Sequence, residues 1–264
     1  TNPSSEQETP SIQINVKQLD GQKTPLDEAR LRAVVTEACD GFSEVDAELI
    51  IQDSLNNLFD GIDEVDVGNA LVMCARTLIE KEPDYTYVAA CLLLDKMRQE
   101  ALTFIEGTMT QATQHEMSEG YGAYFKKYIS TGADLELIDH ELTKYDLDRL
   151  GDAIQPDRDR QFTYLGLQTL YDRYFIHSDD FRFELPQAFF MRVAMGLAIN
   201  ELDREGRAIE FYELLSSFDF MSSTPTLFNS GTCRPQLSSC YLTTVPDDLD
   251  GIFSAIKDDA MLSK

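Results

Sequence analysis

The sequence predicts a mainly α-helical chain with a small β component, and three observations carry that expectation. Tyr85, Val88, Ala89, Leu92 and Leu93 recur at i, i+3, i+4, i+7 and i+8, one face of a helix. Ile12, Ile14 and Val16 alternate with polar residues ahead of Asp20-Gly21, which reads as a short strand and a turn. Leu237–Val245, with Tyr241, Val245 and two threonines, is β-prone and reads as a strand late in the chain. A length of 264 residues allows two domains, or one domain and part of another.

Taken in order, Thr1–Pro10 is polar and reads as a linker. The strand and turn then form a two-stranded hairpin. Four helices follow over Asp27–Cys39, Val45–Leu58, Val65–Glu80 and Pro83–Phe104, with Gly41 and Gly61 between segments as helix stops. Pro83 suits a first helical turn, where a missing N–H costs little. Hairpin and helices make one module over residues 11–104. A helical region, 105–220, begins near Gln114. Within it Gln161–Phe175 is amphipathic, Leu185–Asn200 is apolar nearly all round and therefore buried, and Glu201–Phe218 is charged on one side. The strand Leu237–Val245 and a last helix, Leu249–Leu262, with Ile252, Phe253 and Ile256 on one side, complete the segment 221–264.

Charge is lopsided, with 22 Lys and Arg against 47 Asp and Glu, a net of −25. Such a surface repels polyphosphate and argues against nucleic acid and anionic membranes as partners. The five cysteines are too few and too irregular for a secreted disulfide framework, and Cys39, Cys74 and Cys91 sit in apolar helical stretches as small core residues. No Cys-x-x-Cys occurs and the three histidines are scattered, so no metal site is expected. No run of about 18 uncharged apolar residues exists and the first residues are not signal-like, which reads as a cytoplasmic protein.

The run Met221-Ser-Ser-Thr224-Pro-Thr-Leu-Phe-Asn-Ser-Gly231-Thr-Cys233-Arg-Pro-Gln-Leu-Ser238-Ser239-Cys240-Tyr-Leu packs hydroxyls, a glycine turn and a thiol into one segment, with Asp247 seven residues on. It resembles the start of the catalytic barrel in the large (α) subunit of class Ia ribonucleotide reductases. The resemblance extends along the chain. Residues 11–104, with Pro83-Asp84-Tyr85-Thr86-Tyr87, resemble an ATP-cone, 105–220 the helical N-terminal domain, and 221–264 the first strand of a ten-stranded α/β barrel.

An ATP-cone resembling those that bind nucleotide would carry a Lys-Arg pair before Asp-Gly, where this chain has Gln18 and Leu19. The family's acidic residue beyond that glycine is Thr24 here, its Thr and His on the third helix are Glu64 and Gly68, and its Lys on the fourth is Gln99; Arg30 alone keeps a positive charge. Each missing charge-assisted phosphate bond is worth about 1.5–3 kcal/mol. The expectation is a degenerate cone that does not bind nucleotide, similar to the inner of two tandem cones, which would place a working cone before Thr1.

By resemblance, Cys240 is one of the two thiols that reduce the ribose, since a thiol pair closing to a disulfide delivers two electrons. Its partner cysteine would lie beyond Lys264. Thr224 matches the loop that meets the substrate diphosphate, where hydroxyls and backbone N–H groups bind an anion without added net charge, and Ser239 joins it as a substrate residue. Asp247 and Leu249 fall at the specificity site, left incomplete in this chain, where a deoxynucleotide effector's sugar is held at the α-subunit dimer interface. For Asp247 a plain helix N-cap is also open, and Cys233 is read as incidental. The resemblance further implies a ribonucleoside diphosphate substrate, a β subunit with a metal-tyrosyl radical, an α-subunit homodimer, thioredoxin or glutaredoxin as reductant, and ATP, dATP, dTTP and dGTP as effectors. A different reading of the residues is a non-catalytic helical regulatory or oligomerisation module.

Overall fold

The computed structural model describes residues 14–18 and 21–263, and in it the alternation at Ile14 and Val16 becomes strand β1 (Asn15–Lys17). β1 pairs antiparallel with β2 (Lys23–Pro25), Val16 opposite Thr24, and Val16 is buried in the core. A third strand, β3 (Ile62–Asp63), pairs parallel with β1, Val16 opposite Ile62, giving the order β2-β1-β3. Two residues are too few for periodicity to reveal. The linker Thr1–Pro10, Ile12, Leu19, Asp20 and Lys264 lie outside the described residues.

Helices α1 (Glu28–Cys39), α2 (Ala47–Asn57), α3 (Glu64–Leu78) and α4 (Tyr85–Glu106) follow, close to the expected ranges. Asp27 and Asp46 accept backbone N–H groups in the first turns of α1 and α2, offsetting donors that a helix start leaves unpaired. The predicted stripe on α4 is buried, and α4 packs against α1 and α3 of this module and α7 (Tyr164–Arg173) of the next.

The second helical region opens with α5 (Gln114–Asp134), started by a capping box between Thr113 and Glu116. α6 (Leu147–Ala153) and a 3₁₀ turn at Pro156–Gln161 precede α7. The amphipathic stretch expected over Gln161–Phe175 is thus a helix that starts three residues later, because Thr163 accepts the N–H of Gly166 and caps it. A small hairpin, β4 (His177–Ser178) and β5 (Phe181–Arg182), leads into α8 (Pro186–Ala198). α8 is buried nearly all round, as its composition predicts, and packs against α9 (Arg204–Ser216). Buried side chains form one core running through both helical regions.

The end of the described chain departs from expectation. A short helix, α10 (Thr224–Asn229), forms with Pro225 in its first turn, and α11 (Leu249–Ser263) follows. Leu237–Val245 is not a strand: it has no ladder partner among the described residues, and all but Leu237 are exposed. β propensity reflects packing on a pleated surface, and no such surface meets this run. Accordingly the first strand of a ten-stranded barrel is absent from the described residues. α11 buries only Ala255, leaving Phe253 and Ile256 exposed. No described helix is long and apolar enough to cross a membrane.

Candidate functional site

Two neighbourhoods hold the residues singled out by sequence. The first is a cavity of about 260 Å³ in the hairpin-and-helix module, lined by Gln18, Thr24, Arg30, Glu64, Gly68, Asp95, Gln99 and Gln111 among others. All the described positions compared with a nucleotide-binding cone thus meet in one place. Its polar groups are bound largely to one another. The Gln18 amide donates to Thr24 Oγ1 at 3.0 Å. Arg30 donates to Asp95 Oδ1 at 3.0 Å and to the side-chain oxygen of Gln111, whose amide in turn donates to Glu64 Oε1 at 2.8 Å. Glu64 Oε2 is buried without a partner. Gln111 lies on the connector after α4, and neither periodicity nor motif marked it.

The connector is held in place beyond Gln111. Arg98, buried on α4, donates to the carbonyl of Ala112 at 3.0 Å and to Gln114 at 2.7 Å. The Glu37 carboxylate of α1 accepts the N–H groups of Gln114 and His115, at 2.8 and 2.9 Å, in the first turn of α5.

The second neighbourhood is the segment 221–240. Thr224 opens α10, with its hydroxyl 3.0 Å from the Tyr174 hydroxyl, and the Tyr174 ring stacks on Phe228 at 4.6 Å. The far end of α10 is fixed from below. Arg192, fully buried on α8, donates to the carbonyls of Ser230 at 2.6 Å and Leu227 at 3.4 Å while pairing with buried Glu184. The Ser230 hydroxyl donates to Val193 O at 2.7 Å. A Cβ on Gly196 would come within 2.0 Å of the Gly231 nitrogen, so only glycine lets α8 and this turn touch. Gly231 itself has φ +74°, a conformation glycine adopts without strain.

Beyond the turn, Thr232 bridges Ile138 and the Cys233 thiol donates to Ile138 O at 3.3 Å. Partial desolvation of this otherwise exposed residue, then the nearby Asp139 and Glu136, pushes the Cys233 thiol up and disfavours its thiolate. Thr226 and Asn229 of α10 donate to the carbonyls of Leu237 and Gln236, at 3.2 and 2.7 Å. These bonds lead the chain to exposed Ser239 and Cys240, whose side chains lie 3.8 Å apart. Asp247 and Leu249 are exposed, and the residue that caps α11 is Asp248, which accepts the Gly251 N–H at 2.8 Å, not Asp247. Tyr174, Arg192 and Glu184 carry no motif signal; the lone charges in the apolar stretch around α8 were the available hint. Among the described residues no cluster of three or more His, Cys, Asp or Glu side chains could hold a metal ion.

Comparison with known proteins matches two separate stretches of the chain and relates nearly its whole length to longer relatives. Residues 14–100 match the ATP cone domain, a nucleotide-effector module, and residues 160–235 match the all-alpha domain of ribonucleotide reductase. The chain is 46% identical over 260 residues to the ribonucleoside-diphosphate reductase subunit alpha of Chlamydia muridarum, covering 98% of this chain and 24% of that protein. It is 34% identical over 254 residues to the alpha subunit of Helicobacter pylori, covering 95% of this chain and 30% of that protein. Against the large chain of Schizosaccharomyces pombe it is 31% identical over 255 residues, covering 93% and 29%. The chain thus spans 24–30% of the length of these curated relatives. Cone cavity, helical core and hydroxyl-thiol segment all fall within the matched stretch, and the chain belongs to the family of ribonucleotide reductase large subunits.

Proposed function

We propose that this chain works as the N-terminal region of a ribonucleoside-diphosphate reductase α subunit, converting ribonucleoside diphosphates to deoxyribonucleoside diphosphates. The observation that carries the reading is the continuity of the likeness: it extends over 260 residues of the 264 and so takes in the segment from Thr224 to Cys240. A likeness confined to the cone would have favoured the alternative, a non-catalytic oligomerisation module.

In this reading the balance is one ribonucleoside diphosphate and two thiols to one deoxyribonucleoside diphosphate, one water and one disulfide. Cys240 supplies one thiol, whose sulfur contributes to the disulfide as the ribose 2′-hydroxyl leaves as water. A second cysteine of the subunit supplies the other, and thioredoxin or glutaredoxin restores the pair. Thr224 meets the substrate diphosphate with its hydroxyl, and Ser239 adds a hydroxyl next to the reducing sulfur. The anchoring of α10 on Arg192 and Gly196 supports this assignment, because a binding group is effective only when its scaffold holds it still. The initiating radical comes from a β subunit with a metal-tyrosyl centre. Asp247 and Leu249 contribute to an effector site at an α-subunit dimer interface, exposed here and thus accessible to a second subunit.

The cone of this chain holds no nucleotide in this reading. Arg30, the cation retained in the cavity, is shared between Asp95 and Gln111, and the unpartnered Glu64 oxygen would repel a triphosphate. The functional test is reduction of CDP by a large subunit containing this chain, mixed with a radical-generating β subunit and a dithiol reductant. Deoxycytidine diphosphate formed over many turnovers is expected; its absence with an active β subunit contradicts the reading.

A further inference from the structure

We infer that Tyr174 is a positioning residue that orients the Thr224 hydroxyl for an oxygen of the substrate's diphosphate. The inference rests on the reading of Thr224 given above and extends it to a residue that neither motif nor family match singles out.

The geometry starts from the backbone. Tyr174 closes α7, where its N–H and that of Phe175 both donate to the Leu170 carbonyl, at 2.8 and 3.0 Å. Its ring stacks on Phe228 of α10, at 4.6 Å between centroids and 18° between planes. The ring is thus fixed by packing that does not involve its hydroxyl. From that position the hydroxyl reaches Thr224 Oγ1 at 3.0 Å.

Chemistry then selects which oxygen donates. If Thr224 donated to Tyr174, its oxygen would face a bound anion with lone pairs only. If Tyr174 donates, the threonine proton is free to point at a phosphate oxygen, and donation into Oγ1 polarises that O–H and strengthens it as a donor. A phenol is also the more acidic of the two hydroxyls and the better donor. An anion at Thr224 therefore favours one direction of the pair, and Tyr174 holds that direction in advance. Such preorganisation lowers the cost of ordering a freely rotating hydroxyl when substrate binds.

The test uses a large subunit containing this chain, assayed with its β subunit for the kcat and KM of CDP reduction. The variants are Tyr174→Phe, Thr224→Ala and the pair together. Tyr174→Phe keeps the stack on Phe228 and removes only the hydroxyl. It should raise KM about threefold to tenfold with kcat little changed, the loss expected of one hydrogen bond. Thr224→Ala should raise KM at least as much, and adding Tyr174→Phe to it should change nothing further, because the tyrosine acts through the threonine. If Thr224→Ala leaves KM unchanged, the reading of Thr224 itself fails and the inference falls with it. If Thr224→Ala raises KM but Tyr174→Phe does not, or if the two effects simply multiply, the role of Tyr174 is overturned while that of Thr224 stands. A Tyr174→Phe effect on kcat alone would likewise overturn it.

Discussion

Arg192 and Glu184 form an ion pair with both side chains fully buried, Nε to Oε1 at 2.6 Å and Nη2 to Oε2 at 3.3 Å, and the guanidinium also donates to the carbonyls of Leu227 and Ser230. Glu184 in turn accepts from Tyr128 and from the Ile176 N–H at 2.9 Å. One pair thereby ties α5, α8 and the hairpin region to α10, the element that carries Thr224. Replacing one partner leaves a buried charge without its counter-ion. Arg192→Met should cost roughly 3–5 kcal/mol of folding stability, measured by chemical denaturation. A loss below about 1 kcal/mol would show that the pair does not anchor α10.

Glu37 links the cone to the second helical region, since its carboxylate on α1 caps the first turn of α5. Carboxylates stabilise helix N-termini through both hydrogen bonds and the helix dipole. Glu37→Ala should lower the stability of the chain by about 1–2 kcal/mol, and Glu37→Gln by less, because the amide oxygen still accepts one N–H. Amide hydrogen exchange should quicken at Gln114 and His115 first. Unchanged exchange there would mean that Thr113 caps the helix unaided.

Asp159 gives stability a pH dependence of unusual sign. Full burial raises its carboxyl from 3.8 to about 7, opposed by a hydrogen bond from Gln187, the positive charge of Arg98 and a hydrogen bond from Tyr121. Between pH 4 and 7 the native state therefore holds a proton that the unfolded chain has released, and this group's contribution weakens as pH rises through that window. Asp159→Asn removes the titrating group while its carbonyl can still accept from Gln187. The variant should gain stability relative to the parent as pH rises from 5 to 8, by an amount on the order of a few kcal/mol. Parallel curves for the two proteins would contradict this.

How much was legible in the sequence depends on where each element draws its stability. The α4 stripe and the buried α8 are written in local periodicity and composition, so they were readable. β3 escaped because two residues carry no period, and its existence depends on β1 nearly fifty residues away. Leu237–Val245 failed in the opposite direction: its β-branched and aromatic residues suit a strand, yet a strand exists only with a partner to share its hydrogen bonds. Thr224, Ser239 and Cys240 were singled out by their motif. Tyr174, Gln111 and the Arg192–Glu184 pair reach the two sites from distant positions, and no local pattern encodes that.

The cone cavity carries its own prediction. Arg30 is engaged by Asp95 and Gln111, and no described Lys or further Arg lines the cavity. Calorimetric titration of the chain with ATP or dATP should give no binding in the micromolar range. A micromolar dissociation constant for either, lost on Arg30→Ala, would show that this cavity is a working effector site and that its internal bonds open to admit a triphosphate.

The central claim is that Cys240 provides a reducing thiol, and the two exposed cysteines of the terminal segment test it against each other. The Cys233 thiol is tied to the Ile138 carbonyl, whereas Cys240 extends from the segment that α10 directs, next to Ser239. The measurement is multiple-turnover CDP reduction, with thioredoxin or glutaredoxin, by a large subunit carrying either Cys240→Ser or Cys233→Ser. Cys240→Ser should abolish turnover and Cys233→Ser should leave most of it. Equal effects from the two substitutions, or full activity without the Cys240 thiol, would contradict the account.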